Sequence, residues 1–288
     1  MGQPQIIISP MNKRSLNSPL QASMCSIGFQ REGKWAPSPS VEIPLPEVIR
    51  IVAEHGFSGI EIWQPHWECL DTSGRLRALR LLQRHALQVP MLSAYYNFTK
   101  SEAHAADSLA KGHQVIAQAA ELGAANIRIF TGNHRSADAS PEQWQRTRRC
   151  LQELCDAAAP LGIGLCLETH DWNLMDTVPG TLRLLELVER PNLGLIFQAS
   201  TFGPSTWYWA LGHLLPWVRH VHAPPKKCGL AGDPHDFRTQ LSTLLDHGFS
   251  GFVSLEYMGP DPWLAARSDG QWLISCCRQL SAASSATP

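Results

Sequence analysis

The pentapeptide His-Gly-Phe-Ser-Gly stands twice in the chain, at residues 55–59 and 247–251. Each copy follows an amphipathic pattern (Ile49–Ala53, Leu241–Leu245) and precedes a short apolar run (Ile60–Ile62, Phe252–Glu256). Its first glycine suits the left-handed position that ends a helix, so the motif reads as a helix-to-strand joint. Six further runs are brief and apolar: Met24–Ile27, Val89–Ala94, Asn126–Phe130, Gly164–Thr169, Leu193–Phe197 and Val218–His222. Helical patterns at Leu76–His85, Ala105–Leu122, Pro141–Ala159, Thr181–Val188, Trp207–Leu214 and Trp263–Leu280 fall between and after them. Ser140-Pro141-Glu142-Gln143 joins a capping box to a proline at the first helical position, which marks a helix start.

Short apolar strands separated by helices belong to a parallel sheet covered on its outer face. Eight such units in about 250 residues predict an α/β fold, a single-domain (β/α)8 TIM barrel. The open doubly wound sheet is disfavoured, because no G-x-G-x-x-G follows the first strand. Residues 1–22 lack periodicity and read as a flexible N-terminal arm, 23–280 as the barrel, and 281–288 as a disordered tail.

Charge narrows the function classes. With 24 basic and 25 acidic residues the chain has a net charge of −1, which gives no pull on nucleic acid or an anionic membrane. Apolar runs fall far short of the ~20 residues of a membrane helix. Ile6-Ile7-Ile8 is too short for a signal-peptide core, and no basic segment precedes it. The eight cysteines form no C-x-x-C pair. That argues against a zinc ribbon or a disulfide scaffold and predicts a reduced, cytoplasmic protein.

In such a barrel the active site lies at the C-terminal ends of the strands. Those positions hold Glu61 and Trp63, then Tyr95, His134, Glu168, His170, Gln198, His222 and Glu256. Two carboxylates, an imidazole and an amide carbonyl, from Glu168, Glu256, His222 and Gln198, suit a divalent metal site of mixed oxygen and nitrogen donors. His220 shares the face of His222 one layer deeper and reads as a hydrogen-bonded core residue. Flat indole faces at Trp63 and Trp172 suit the C–H faces of a sugar. Tyr95, His66, His134 and His170 are further candidates for contacts to substrate.

The ordered set Gly59–Trp63, Leu165–His170, Asn192–Gln198, His220–His222 and Phe252–Tyr257 resembles the xylose-isomerase-like TIM barrel superfamily, the sugar phosphate isomerase/epimerase group. The resemblance covers roughly residues 24–280. It implies metal ligands at Glu168, Gln198, His222 and Glu256, holding Mn, Mg, Co or Zn. It also implies that Glu168 and Glu256 are the acid/base pair of a metal-dependent isomerase or epimerase. The substrate would be a sugar or small hydroxy-ketone that loses a proton next to its carbonyl.

Two positions depart from the family pattern. Gln198 stands where an aspartate is usual, and Thr201 replaces a histidine often found three residues later. Lys226 and Lys227 follow the seventh strand where a Lys-Asp pair is more common. A lyase or dehydratase on the same barrel, as in the dehydroshikimate-dehydratase members, is the alternative, as is a non-catalytic sugar-binding member. Asp233-Pro234-His235 is similar to a motif of the abasic-site endonuclease branch, but the Gln198 and Thr201 positions argue against that branch's zinc set. The expected partner is therefore a small molecule, and a homo-oligomer is compatible with the sequence.

Overall fold

The computed structural model describes residues 20–34, 36, 39–203, 205–224 and 234–285. Eight parallel strands close into a barrel in chain order, and the last pairs with the first. They are β1 (Gln21–Cys25), β2 (Gly59–Trp63), β3 (Gln88–Ser93), β4 (Asn126–Ile129), β5 (Gly164–Glu168), β6 (Leu193–Phe197), β7 (Val218–Ala223) and β8 (Phe252–Leu255). The helices α1 (Leu45–Glu54), α2 (Gln64–Glu68), α3 (Thr72–Arg84), α4 (Glu102–Leu122), α5 (Pro141–Ala158), α6 (Val178–Val188), α7 (Trp207–Leu214), α8 (Pro234–Asp246), α9 (Pro262–Ala265) and α10 (Gln271–Ser285) connect the strands and end the chain.

The local signals are in place. Gly56 and Gly248 have φ of 79° and 83°, the left-handed turn that only glycine adopts at little cost. Ser140 Oγ accepts from the backbone of Gln143 while Gln143 Oε1 accepts from that of Ser140. The expected helix over 263–280 is broken: a π turn at Ala266–Gly270 separates α9 from α10. Residues 1–19 of the arm and 286–288 of the tail lie outside the described residues. At the arm's inner edge β1 already begins at Gln21, and α10 runs through Ser285. There Ser281 Oγ accepts a hydrogen bond from the backbone of Leu20 (2.9 Å).

The strands are apolar on one face only, which corrects the reading of them as apolar throughout. Outward side chains such as Ile60, Ile62, Leu92, Leu165, Leu167, Leu195, Val221 and Val253 share one continuous core with Leu151, Leu184, Leu211 and Leu241 of the helices. Each such buried side chain contributes roughly 1.5–3 kcal/mol. Inside the barrel Met91, Cys166 and Ile196 form one small apolar group, and Cys25, Ile27 and Trp63 form another. Ser23, Glu61, Ser93, Arg128, Glu168, His220, His222 and Ser254 are buried around them. Ser23 Oγ and Ser254 Oγ meet at 2.6 Å across the seam between β1 and β8. The closed parallel sheet thus turns alternate residues of every strand toward one axis, and that axis carries the polar chemistry.

Candidate functional site

His222 is the centre of the polar core, turned inward by β7 together with His220 two residues earlier. Three oxygens from three neighbouring strand ends converge on its Nδ1. Gln198 Oε1 is 3.3 Å away, Glu168 Oε1 3.5 Å and Glu256 Oε2 3.7 Å. Glu168 closes β5, while Gln198 and Glu256 are the first residues beyond β6 and β8. Backbone bonds set the last two: Gln198 N–H donates to Thr169 Oγ1 (3.1 Å) and Glu256 N–H to the Ala223 carbonyl (2.9 Å).

The far side of the ring is equally fixed. His222 Nε2 lies 3.1 Å from Glu61 Oε2, and His220 Nε2 lies 3.2 Å from the same oxygen. Ser93 Oγ donates to Glu61 Oε1, and His220 Nε2 is 2.7 Å from Ser254 Oγ. A carboxylate behind a ligating histidine orients the ring and raises its basicity. Glu168 has its own anchor: its Oε2 accepts from Arg128 Nη1 at 2.8 Å, both side chains being buried. The Arg128 guanidinium also packs on the rings of Tyr95 (4.4 Å) and Phe130 (4.6 Å).

These contacts separate the carboxyl groups. Burial opposes ionisation of Glu168, but Arg128 and His222 outweigh it and hold the group below the usual carboxylate range. Glu61 is held well below it by His222 and His220, again against burial. Burial and the neighbouring Glu168 push Glu256 up to about 7. Burial disfavours a charge on His222, yet Glu61, Glu256 and Glu168 together raise it well above the ordinary histidine value.

A divalent cation fits this donor set. Glu168, His222 and Glu256 each offer a ligand atom, all within 4.8 Å of one another, and Gln198 Oε1 faces the same ring nitrogen. The surrounding carboxylates keep a proton on His222, and a cation among the same oxygens would replace that proton. Gln198, His222 and Glu256 border a cavity of about 520 Å³ that continues past Tyr257 to Leu264 and Ala265.

The expected substrate contacts divide into three groups. Tyr95, His170 and Trp172 form an aromatic row with Phe130: Tyr95 stacks on Phe130 (5.7 Å), Phe130 meets Trp172 (4.6 Å), and Trp172 meets His170 (4.7 Å). His134 stands outside this row, its Nδ1 3.1 Å from Thr99 Oγ1. Trp63 and His66 are both buried. Trp63 is 1% exposed and packs with Cys25 and Ile27. His66 is fully buried in α2 with Nδ1 bonded to Ser26 Oγ (2.9 Å). Trp63 ends β2, as its place at the strand end predicts, on the inward face of Glu61 two residues earlier, whereas His66 is carried inward by α2.

Thr201 donates to the Thr169 carbonyl (2.8 Å) and braces the strand end. Lys226, Lys227 and Asp233 lie outside the described residues. Two residues of the site had been given no role, Glu61 and Arg128. Arg128 carried a signal, a lone cation between isoleucines in a short strand. Inside a barrel such a charge needs a buried partner.

The profile of the xylose isomerase-like TIM barrel family matches residues 49–276. The chain belongs to that family. Among its relatives is the 3-dehydroshikimate dehydratase of Bacillus anthracis, 29% identical over 70% of this chain and 71% of that protein. The fructoselysine 3-epimerase of Shigella flexneri is 26% identical over 78% of this chain and 90% of that one. A xylose isomerase-like TIM barrel protein from Mycobacterium smegmatis, solved in complex with magnesium, has the same fold. It superposes with a TM-score of 0.71 at 18% identity, covering 92% of this chain and 98% of that one. The relatives thus include both an epimerase and a dehydratase. Among the described residues no helix is long and apolar enough to cross a membrane.

Proposed function

We propose that the chain is a metal-dependent isomerase or epimerase that removes and returns a proton next to the carbonyl of a sugar or small hydroxy-ketone. The observation that carries this reading is the convergence of Glu168, Gln198 and Glu256 on one nitrogen of His222. These four residues would hold the cation, and the magnesium complex of a family member supports a divalent ion. When bound, such an ion supplies Lewis acidity toward the substrate carbonyl and charge compensation for an enediolate.

The protein's own groups divide the proton work. Two carboxyls held by separate strand ends on one site are the pattern of an acid/base pair. Glu168, kept ionised by Arg128, takes the proton from carbon while the C–H electron pair moves toward the carbonyl oxygen. Glu256, from a separate strand end across His222, returns a proton to the other face and completes epimerisation. The row of Tyr95, Phe130, Trp172 and His170 beside Arg128 gives the substrate an aromatic wall.

The relationship to the Bacillus dehydratase favours a second reading. The same proton abstraction followed by cleavage of a C–O bond, with the hydroxyl leaving as water, makes a dehydratase. One experiment separates the two. The protein, loaded with Mn²⁺ or Mg²⁺, is incubated in D₂O with a panel of ketoses and, separately, with 3-dehydroshikimate. Deuterium uptake at carbon without loss of water supports the isomerase. An aromatic product from 3-dehydroshikimate, with no exchange into any ketose, replaces it with the lyase. Neither signal at any metal loading would sink both and leave a sugar-binding role.

A further inference from the structure

On the Nε2 side of the His222 ring the barrel holds a second group of donors. Cys25 Sγ, a Glu61 carboxylate oxygen and a His222 ring nitrogen lie within 4.8 Å of one another. Cys25 and Glu61 are register partners on β1 and β2, and Glu61 Oε2 is 3.1 Å from His222 Nε2. His220 Nε2 lies 3.2 Å from that same oxygen. None of the four residues is more than 3% exposed.

We propose that Cys25, Glu61 and His222 form a second site for a thiophilic divalent cation of the zinc class, and that filling it antagonises the mouth site. The ligand chemistry differs between the two places. The mouth offers three oxygens and one nitrogen, a set that accepts hard cations such as Mg²⁺ or Mn²⁺. The core offers sulfur, imidazole nitrogen and a single carboxylate, the donor types of four-coordinate zinc. A coordinating thiol gives up its proton outright, so the burial of Cys25 does not bar it as a ligand. The protons released on binding leave to solvent.

The antagonism follows from the shared ring. Both sites draw on His222, the mouth through Nδ1 and the core through Nε2. A neutral imidazole has one lone pair to give, so a cation on Nε2 leaves the ring proton on Nδ1. That proton then occupies the space between Gln198, Glu168 and Glu256. Binding in the core also takes Glu61 away from its bond to the ring. His222 itself borders the 520 Å³ cavity, so the ring is common to both sites. Only the antagonism rests on the mouth reading above; the core site stands on its own donors.

The test uses the full-length, metal-free protein titrated with Cd²⁺, whose bonds to thiolate give an ultraviolet charge-transfer band. Cys25→Ala and Cys25→Ser are measured beside the wild type, the serine variant keeping the thiol's volume without giving a band. The expected result is a band smaller by one thiolate in both variants and a Cd²⁺ affinity at least tenfold weaker. Electron paramagnetic resonance of Mn²⁺ reads the mouth. Cd²⁺ should release Mn²⁺ from the wild type at concentrations at least tenfold lower than from the variants. An unchanged band and affinity in folded variants would overturn the core site. Mn²⁺ that stays bound while the band reaches full height would overturn the antagonism. Failure to bind Mn²⁺ at all sinks the mouth reading and the antagonism with it, while the cadmium band still decides the core site.

Discussion

Arg128 Nη1 sits 2.8 Å from Glu168 Oε2, and this pair is almost wholly removed from water at the centre of the barrel. Removing one partner of a buried ion pair leaves the other uncompensated, at a cost of about 3–5 kcal/mol. Arg128→Leu should therefore destabilise the protein by that amount in urea titrations. Adding Glu168→Gln to it should recover part of the loss, because the stranded charge is gone. A double variant no more stable than Arg128→Leu would contradict the pairing.

Glu256 is 22% exposed at its side chain and stands at the mouth, where it supports chemistry and little packing. Glu256→Gln should lower turnover ~10²–10⁴-fold, the usual size of a general acid–base contribution. Its melting temperature should stay close to that of the wild type. If more than about a tenth of the kcat survives, Glu256 has no part in proton transfer.

The two histidines of β7 should fail differently. His222→Ala should weaken Mn²⁺ binding in calorimetry far more than His220→Ala does. His220→Ala should instead lower stability by about 1–3 kcal/mol, since it strands Ser254 and one side of Glu61. Loss of the metal by His220→Ala at an unchanged melting temperature would reverse the two roles.

Gln198→Asp replaces a neutral amide oxygen with a charged one at a ring nitrogen 3.3 Å away. The variant should bind Mn²⁺ more tightly and turn over more slowly, because added negative charge lowers the Lewis acidity of the ion. New or faster epimerisation of simple ketoses would mean that the natural site is a weakened one. No change in metal affinity would remove Gln198 from the ligand set.

Burial pulls His66 down to about 4. The folded protein therefore keeps this ring neutral, whereas the unfolded chain protonates it near pH 6.5. Stability attributable to His66 is complete above pH 6.5 and drains away as pH falls toward 4, by roughly 3 kcal/mol in total. Urea midpoints of His66→Gln should fall less steeply than those of the wild type across that window. Parallel curves would show that His66 is protonated in the fold.

The barrel and the order of its strands were legible because helix-capping glycines and alternating apolar blocks are local signals. Glu168, Gln198, His222 and Glu256 were legible because each ends a strand, and in a closed parallel barrel all such ends share one rim. Glu61 and Arg128 were not, because their roles depend on which residues face them across the axis. That pairing is set by strand register, which no single segment encodes. His66 misled for a related reason. Gln64–Glu68 forms a five-residue helix, too short to give a periodic signal, and it turns an apparent rim loop inward.

The 2.6 Å contact between Ser23 and Ser254 joins residues 231 positions apart. A chain leaving the ribosome presents β8 last of the eight strands, and the ring stays open until β8 pairs with both β7 and β1. Closure around Glu61, Arg128, His220 and His222 thus waits on one strand, residues 252–255. A truncation that removes only that strand would leave seven of the eight and an open axis.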